Sequence, residues 1–414
     1  MDSNKPACFA TPWPCHLLLG VCVFVSGISG TTRLVQGEDR LLQAVNGVGP
    51  NGAGHAEAIS ALNKWGSDTG AETATERLWS VLATMKEAEP RGKNWLRLVA
   101  SDLLQKAENE NSGSGLAEKF LSTRIRFIRD RSHDPDARYL IYRSVIRGDD
   151  GLRDELLSEA TDDPSLPLRY LAVAAGMKRA EAMKEPQPVE AKTLYQSLVR
   201  NARHPDQIRS IAKALDDLGE PVDLAKTLAM IRQWEVIASF NNTDGVGFAA
   251  AYPVERVYLD ASNEPAELLR SFQDEDETLD WQTVQSDDAM GVVDLNPVYD
   301  NAKNAVAYAY CQFRIAEDVF AGDGELRQFQ VRLGSKNANK AWMNGVPVLA
   351  NEVYHSGGMI DQYVGVCGLR PGLNSILLKI CQNNQTQPWA QEFQFQFRIT
   401  DSTGQGIPVE MVSE

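Results

Sequence analysis

The sequence predicts a multidomain α plus β protein, an N-terminal α-helical repeat region followed by a C-terminal antiparallel β-sandwich. Three observations carry that expectation. Leu78, Val81, Leu82 and Met85 fall at i, i+3, i+4 and i+7, and Leu96, Val99, Leu103 and Leu104 repeat the helical spacing. Past residue 231 the period changes to two: Phe329, Val331 and Leu333 alternate with polar residues, and so do Phe393, Phe395, Phe397 and Ile399. Turn signals then punctuate the alternation, Asn344-Gly345 inside one strand pair and Arg370-Pro371-Gly372 between Tyr363–Leu369 and Leu373–Cys381, both read as hairpin turns.

Taken in order, residues 1–30 have the layout of an export signal, with the short apolar run Leu17 to Val25 followed by Ser26, Gly27, Ser29 and Gly30. That run is roughly half the ~20 residues needed to cross a bilayer, so no stable membrane insertion is expected after its removal. Residues 31–55, rich in Gly and Asn, read as a flexible leader. Their Gly47-Val48-Gly49-Pro50-Asn51-Gly52 matches GxGxxG, but Pro50 and the missing strand in front of it do not suit a dinucleotide fold.

Residues 56–231 read as the helical repeat domain. Three stretches look like copies of one unit, each with a proline where a helix begins: His133-Asp134-Pro135-Asp136, Asp162-Asp163-Pro164 and His204-Pro205-Asp206. The third, continued by Arg209, Ala212, Leu215, Leu218, Gly219 and Pro221, resembles a HEAT repeat. For residues 56–130, which lack the signature, an irregular helical bundle is the alternative. Arg124, Arg126, Arg129, Arg131, Arg138, Arg143 and Arg147 concentrate positive charge over residues 124–147, read as a solvated surface paired with nearby carboxylates, with a partner-binding concave face as the alternative.

Residues 232–414 read as the sandwich. Lys340-Ala341-Trp342-Met343-Asn344-Gly345 and Gly372-Leu373-Asn374-Ser375-Ile376-Leu377-Leu378-Lys379 resemble the turn and strand of galactose-binding-like jelly-roll modules. With the helical repeats in front, the layout is similar to that of secreted bacterial multidomain proteins. The resemblance implies a jelly roll and leaves open whether the module binds sugar, binds protein or serves as a spacer. The alanines of Ala305-Val306-Ala307-Tyr308-Ala309 call for something packed closely over them, and Asp274-Glu275-Asp276-Glu277 reads as a solvated loop rather than a metal cage.

A net charge of −15 argues against a general nucleic-acid binder, which needs a basic face against phosphates. Cys311, Cys367 and Cys381 are the cysteines outside the signal segment; they read as buried thiols, with at most one disulfide among them as the alternative, and lack the CxxC spacing of a zinc site. No HExxH, P-loop or GxSxG motif is present, and the five histidines are scattered. No catalytic residue, metal or cofactor is therefore assigned. For carbohydrate, an aromatic ring set among hydrogen-bonding side chains is the feature sought. The candidates are Trp389 with Gln391 and Gln387, Tyr354 with His355, Asn241 to Asp244 beside Phe248, Asp361 as a further hydrogen-bonding neighbour, and, from the resemblance, Trp342 and Asn344. The expected function is that of an exported, periplasmic or secreted, non-catalytic binding or scaffold protein of bacterial type, with a protein partner on the helices and glycan or protein on the sandwich. The alternative is an extracytoplasmic polysaccharide-processing hydrolase or its accessory subunit.

Overall fold

A computed structural model describes residues 29–66, 72–147, 149–260, 270–274, 277–320 and 328–412. The apolar run Leu17 to Val25, with the export reading that rests on it, and Glu275-Asp276 lie outside the described residues. The layout is multidomain α plus β, with helices as far as Thr227 and antiparallel sheets over Gln233 to Met411, interrupted by one short helix. Among the described residues no helix is long and apolar enough to cross a membrane.

The chain forms two compact units that meet between Ile141 and Tyr142. The first holds α1 (Ser29–Asn46), α2 (His55–Gly66), α3 (Ala74–Thr84), α4 (Pro90–Glu110), α5 (Leu116–Arg129) and the start of α6 (Pro135–Val145). Where a flexible leader was expected, residues 31–46 belong to helix α1, in which Leu41 and Val45 are buried one turn apart. The glycine run that matches GxGxxG follows this helix, not a strand, and leads into α2. Leu78, Val81, Leu82 and Met85 are buried as their spacing predicts. A reciprocal cap opens α3, where Thr73 Oγ1 accepts from the Glu76 amide at 3.1 Å and Glu76 Oε2 accepts from the Thr73 amide at 2.9 Å. At Gly92 a Cβ would lie 2.7 Å from Asn46 Oδ1, so glycine lets α4 approach the end of α1. On α5, Arg124 pairs with Glu108 at 2.7 Å and lies over the Phe120 ring.

The second unit combines α7 (Asp150–Ser158), α8 (Leu166–Met183), α9 (Pro188–Asn201), α10 (Pro205–Asp217) and α11 (Leu224–Thr227) with the sandwich. Compactness thus does not divide the chain where the hydrophobic period changes. The apolar layer of Val173, Tyr195, Leu198, Ile211 and Leu215 also takes in Met290 and Ile360, which belong to loops of the sandwich. Pro205 opens α10 as read from the sequence, while Pro164 lies ahead of α8, which opens at Leu166 and Pro167.

The strands are β1 (Gln233–Asn241), β2 (Phe272–Asp274), β3 (Glu277–Leu279), β4 (Gln282–Gln285), β5 (Val293–Asp294), β6 (Ala305–Ile315), β7 (Gln328–Gly334), β8 (Ala338–Met343), β9 (Val346–Asn351), β10 (Tyr363–Gly368), β11 (Gly372–Gln382), β12 (Gln394–Thr400) and β13 (Glu410–Met411). One sheet runs β4-β1-β6-β11-β8-β9 with β13 also on β6, the other runs β10-β7-β12-β5, and β2 and β3 form a separate hairpin. Asn344 and Gly345 both have positive φ, 51° and 79°, and close the β8–β9 hairpin as predicted. The Arg370-Pro371-Gly372 turn does something different: β10 pairs with β7 and β11 pairs with β6 and β8, so this turn carries the chain from one sheet to the other rather than closing a hairpin.

Between the sheets lies the main core. Ala305, Ala307, Ala309, Cys311 and Phe313 of β6 face Phe329, Val331, Leu333, Phe395, Phe397 and Ile399, so the alanine face is what lets a second sheet with bulky rings settle over it. Trp234 meets Phe395 and Phe397 edge-on at 5.2 and 5.6 Å, and its Nε1 donates to the Ile231 carbonyl at 3.0 Å.

The larger sheet is also covered on its other face. Val306, Tyr308, Tyr310, Trp342, Leu377 and Cys381 pack under α12 (Pro253–Leu259) and the β2–β3 hairpin. Lys379 of β11 is fully buried there. Its ammonium donates to Glu255 Oε1 and the Ala250 carbonyl, each at 2.6 Å, and to the Phe248 carbonyl at 3.5 Å, while Tyr308 donates to the same Glu255 carboxylate. Cys311, Cys367 and Cys381 are free, buried thiols, and burial raises the pKa of each, Cys367 and Cys381 to about 12.

Candidate functional site

One end of the sandwich gathers the loops that the sequence separates by more than a hundred residues. The organising side chain is Asn242, fully buried just past β1. Its Oδ1 accepts from the Gly247 amide at 3.0 Å, and its Nδ2 donates to the Gln382 carbonyl at 2.8 Å and to Tyr354 Oη at 3.1 Å. Gly247 is required here, since a Cβ would stand 2.5 Å from Val306 Cγ2 and 2.6 Å from Asn242 Oδ1. Burial pushes the Tyr354 phenol above its usual range, while the Asn242 hydrogen bond pulls the other way.

Gln382, at the end of β11, continues the network. Its Oε1 accepts from Asn337 Nδ2 and from the Asn383 amide, each at 3.1 Å, and its Nε2 reaches the carbonyls of Ala390 and Glu392 at 3.4 Å. The short turn of helix Pro388–Ala390 is therefore held from beneath, with Ala390 buried. Trp389, next to the buried Ala390, remains 57% exposed. His355 meets its ring edge-on at 5.3 Å, and His355 Nε2 lies 3.1 Å from Asn383 Oδ1. Lys336 and Glu392, 2.7 Å apart, close the same loop cluster. An exposed ring on a fixed backbone, flanked by an imidazole and amides, can stack on an apolar ligand face while its neighbours exchange hydrogen bonds.

Three of the sequence candidates, Trp389, Tyr354 with His355, and the Asn241–Asp244 turn, thus converge. Gln391 stays in the Trp389 loop with its Nε2 donating to the Thr386 carbonyl. Trp342 is buried in the layer beneath α12. Asn344 is occupied in the hairpin turn, where its Oδ1 accepts from the Ser375 amide and its Nδ2 donates to Asn374 Oδ1, both at 2.9 Å. Asp361 is held by Arg332 and Arg398 on the outer face of the four-stranded sheet. Gln382 and Asn337 were not proposed as site residues from the sequence; Gln382 ends the largely apolar strand β11, and Asn337 lies in the polar turn between β7 and β8. Among the described residues no three His, Cys, Asp or Glu side chains converge as a metal site.

No family model and no curated protein matches the chain. Among the solved structures that align with part of it, two illustrate the likeness. An anti-sigma factor domain-containing protein from Clostridium clariflavum is 10% identical over 44% of this chain and 45% of that one, with a TM-score of 0.22. The beta-glucuronidase of Ruminococcus gnavus is 8% identical over 41% of this chain and 28% of that one, also with a TM-score of 0.22. The chain spans less than half the length of either, and likenesses this loose carry no argument about fold or function.

Proposed function

We propose that this chain is a non-catalytic binding protein acting outside the cytoplasm, whose sandwich recognises carbohydrate at the Trp389 end and whose helical region contacts a protein partner. The observation that carries the carbohydrate reading is an exposed Trp389 ring on a backbone pinned by the buried Gln382 side chain, with His355 against its edge. In finer detail, the helices are a HEAT-like array and the sandwich a galactose-binding-like jelly roll; the proline-led helix starts and the Asn344-Gly345 turn support this. Export rests on the Leu17 to Val25 run.

One stacked ring contributes on the order of 1 kcal/mol, so single sugars bind weakly and multivalent glycans bind better. A glycan array and a hydrolysis screen on the same purified chain test the reading. Trp389→Ala is expected to abolish glycan retention with an unchanged melting temperature. A large drop in melting temperature, or a parent protein that retains no glycan, rejects it, and turnover of polysaccharide would move the chain to the hydrolase class.

A further inference from the structure

Elsewhere in the second unit, where the helices meet the outer face of the four-stranded sheet, lie two cavities of about 440 and 530 Å³ that share Arg203 as a wall. Arg169, Arg203 and Arg332 line the first; Arg200, Lys226 and Arg398 join Arg203 in the second. Asp361 is the one carboxylate among the described lining residues, in a chain where 56 acidic residues outnumber 41 basic ones. Chance placement would give the opposite balance.

Most of these cations are already engaged. Asp361 accepts from Arg398 Nε at 2.8 Å and Arg332 Nη1 at 2.9 Å, and Arg332 also donates to Thr400 Oγ1 and Gln330 Oε1. Arg169 donates to the carbonyls of Asp163 and Asp162 at 2.6 and 2.7 Å. Arg203 differs. Its Nη1 donates to the carbonyls of Arg200 and Ala202, at 2.8 and 2.9 Å, but its Nε is buried and has no partner among the described residues. Buried donors are rarely left in that state. Burial, with Arg169 and Arg398 adding repulsion against the opposing pull of Asp401, lowers the Arg203 pKa to about 10. An arriving anion would offset the repulsion among these guanidinium groups. Leu166, Tyr170 and Ile360 add apolar lining to the first cavity.

We propose that this cleft binds a small organic anion, whose carboxylate or phosphate group is held by the Arg203 guanidinium beside Arg169 and Arg332 and whose apolar part rests on Tyr170 and Leu166. The site is separate from the Trp389 end and does not depend on glycan binding there. A guanidinium presents two parallel donors that match either oxyanion.

The test uses the full chain with phenyl phosphate and with benzoate as probes, each against chloride at matched ionic strength. At least one probe should raise the melting temperature. Stabilisation by phenyl phosphate alone assigns the phosphate class, and by benzoate alone the carboxylate class. Arg203→Gln should weaken the effective probe by about tenfold or more, and Arg203→Lys should recover only part of the loss, because an ammonium lacks the fork. No stabilisation beyond chloride by either probe, or undiminished binding by Arg203→Gln, overturns the proposal. Should the variants fail to fold, phenylglyoxal labelling of the parent decides: the effective probe must protect Arg203 in the mapped peptides, and unprotected labelling of Arg203 overturns the proposal equally.

Discussion

Lys379 and Arg203 are both cations packed against the sandwich, and they are handled in opposite ways. Each bond the Lys379 ammonium can donate has an acceptor, in Glu255, Ala250 and Phe248, and the rings of Tyr252 and Tyr308 flank it at 5.2 and 5.6 Å. Arg203 donates from one nitrogen and leaves a buried one unmet. The first arrangement fastens α12 to the sheet; the second leaves a guanidinium incompletely served on the wall of a cleft. Burial of a charge is therefore a poor guide to its role, and completeness of its partners is a better one.

Breaking the Lys379 site should produce the largest effect. Glu255→Gln strands the ammonium in the apolar layer and should cost about 3–5 kcal/mol in urea unfolding, as removal of one partner from a buried pair does. A loss below about 1 kcal/mol would mean that the ammonium is adequately served by carbonyls alone. Next comes Asp361→Asn, which removes the carboxylate shared by Arg332 and Arg398 and should cost about 2–3 kcal/mol near neutral pH. Burial alone would raise the Asp361 pKa, but the Arg398 and Arg332 bonds outweigh it and hold it below the usual carboxylate range. The stabilisation is thus complete above about pH 4, the unfolded value, and is lost as pH falls through the lower folded value. Unfolding curves of parent and variant should accordingly converge in acid and separate towards neutrality.

Replacing both members of the first pair sharpens the contrast. Glu255→Leu with Lys379→Met should lie within about 1–2 kcal/mol of the parent, far better than Glu255→Gln alone, because no charge is left stranded. The smallest change belongs to Arg203→Gln. In chloride its stability should stay within about 0.5 kcal/mol of the parent, since the residue removed is repelled by Arg169 and Arg398.

Local signals were legible where one residue's backbone preference or one short period sufficed. Asn344-Gly345 specifies its own turn, and Phe395, Phe397 and Ile399 specify their own buried face. The Arg370-Pro371-Gly372 turn shows the limit: Pro-Gly chemistry fixes a reversal but not whether the next strand returns to the same sheet. Trp342 and Trp389 are both tryptophans near turns, and only the packing of α12 over one of them separates a core ring from an exposed ring. The arginine cleft was invisible to a linear reading, which found its basic concentration between Arg124 and Arg147. The cleft draws Arg169, Arg203, Arg332 and Arg398 from four distant segments, and no local window contains them.

The position of β12 also bears on how the protein is made. That strand sits between β7 and β5, and its Phe395, Phe397 and Ile399 fill the layer opposite the alanines of β6. During synthesis the larger sheet, already translated through β11, has only β7 and β10 of the second sheet to cover its alanine face, and the β12 share of that cover is missing until residue 400 has left the ribosome. The first compact unit faces no such delay, because its contacts are made among helices translated close together. An emerging chain therefore carries a finished helical unit ahead of an open, sticky sheet, and this interval is when a chaperone holding apolar strands would matter most.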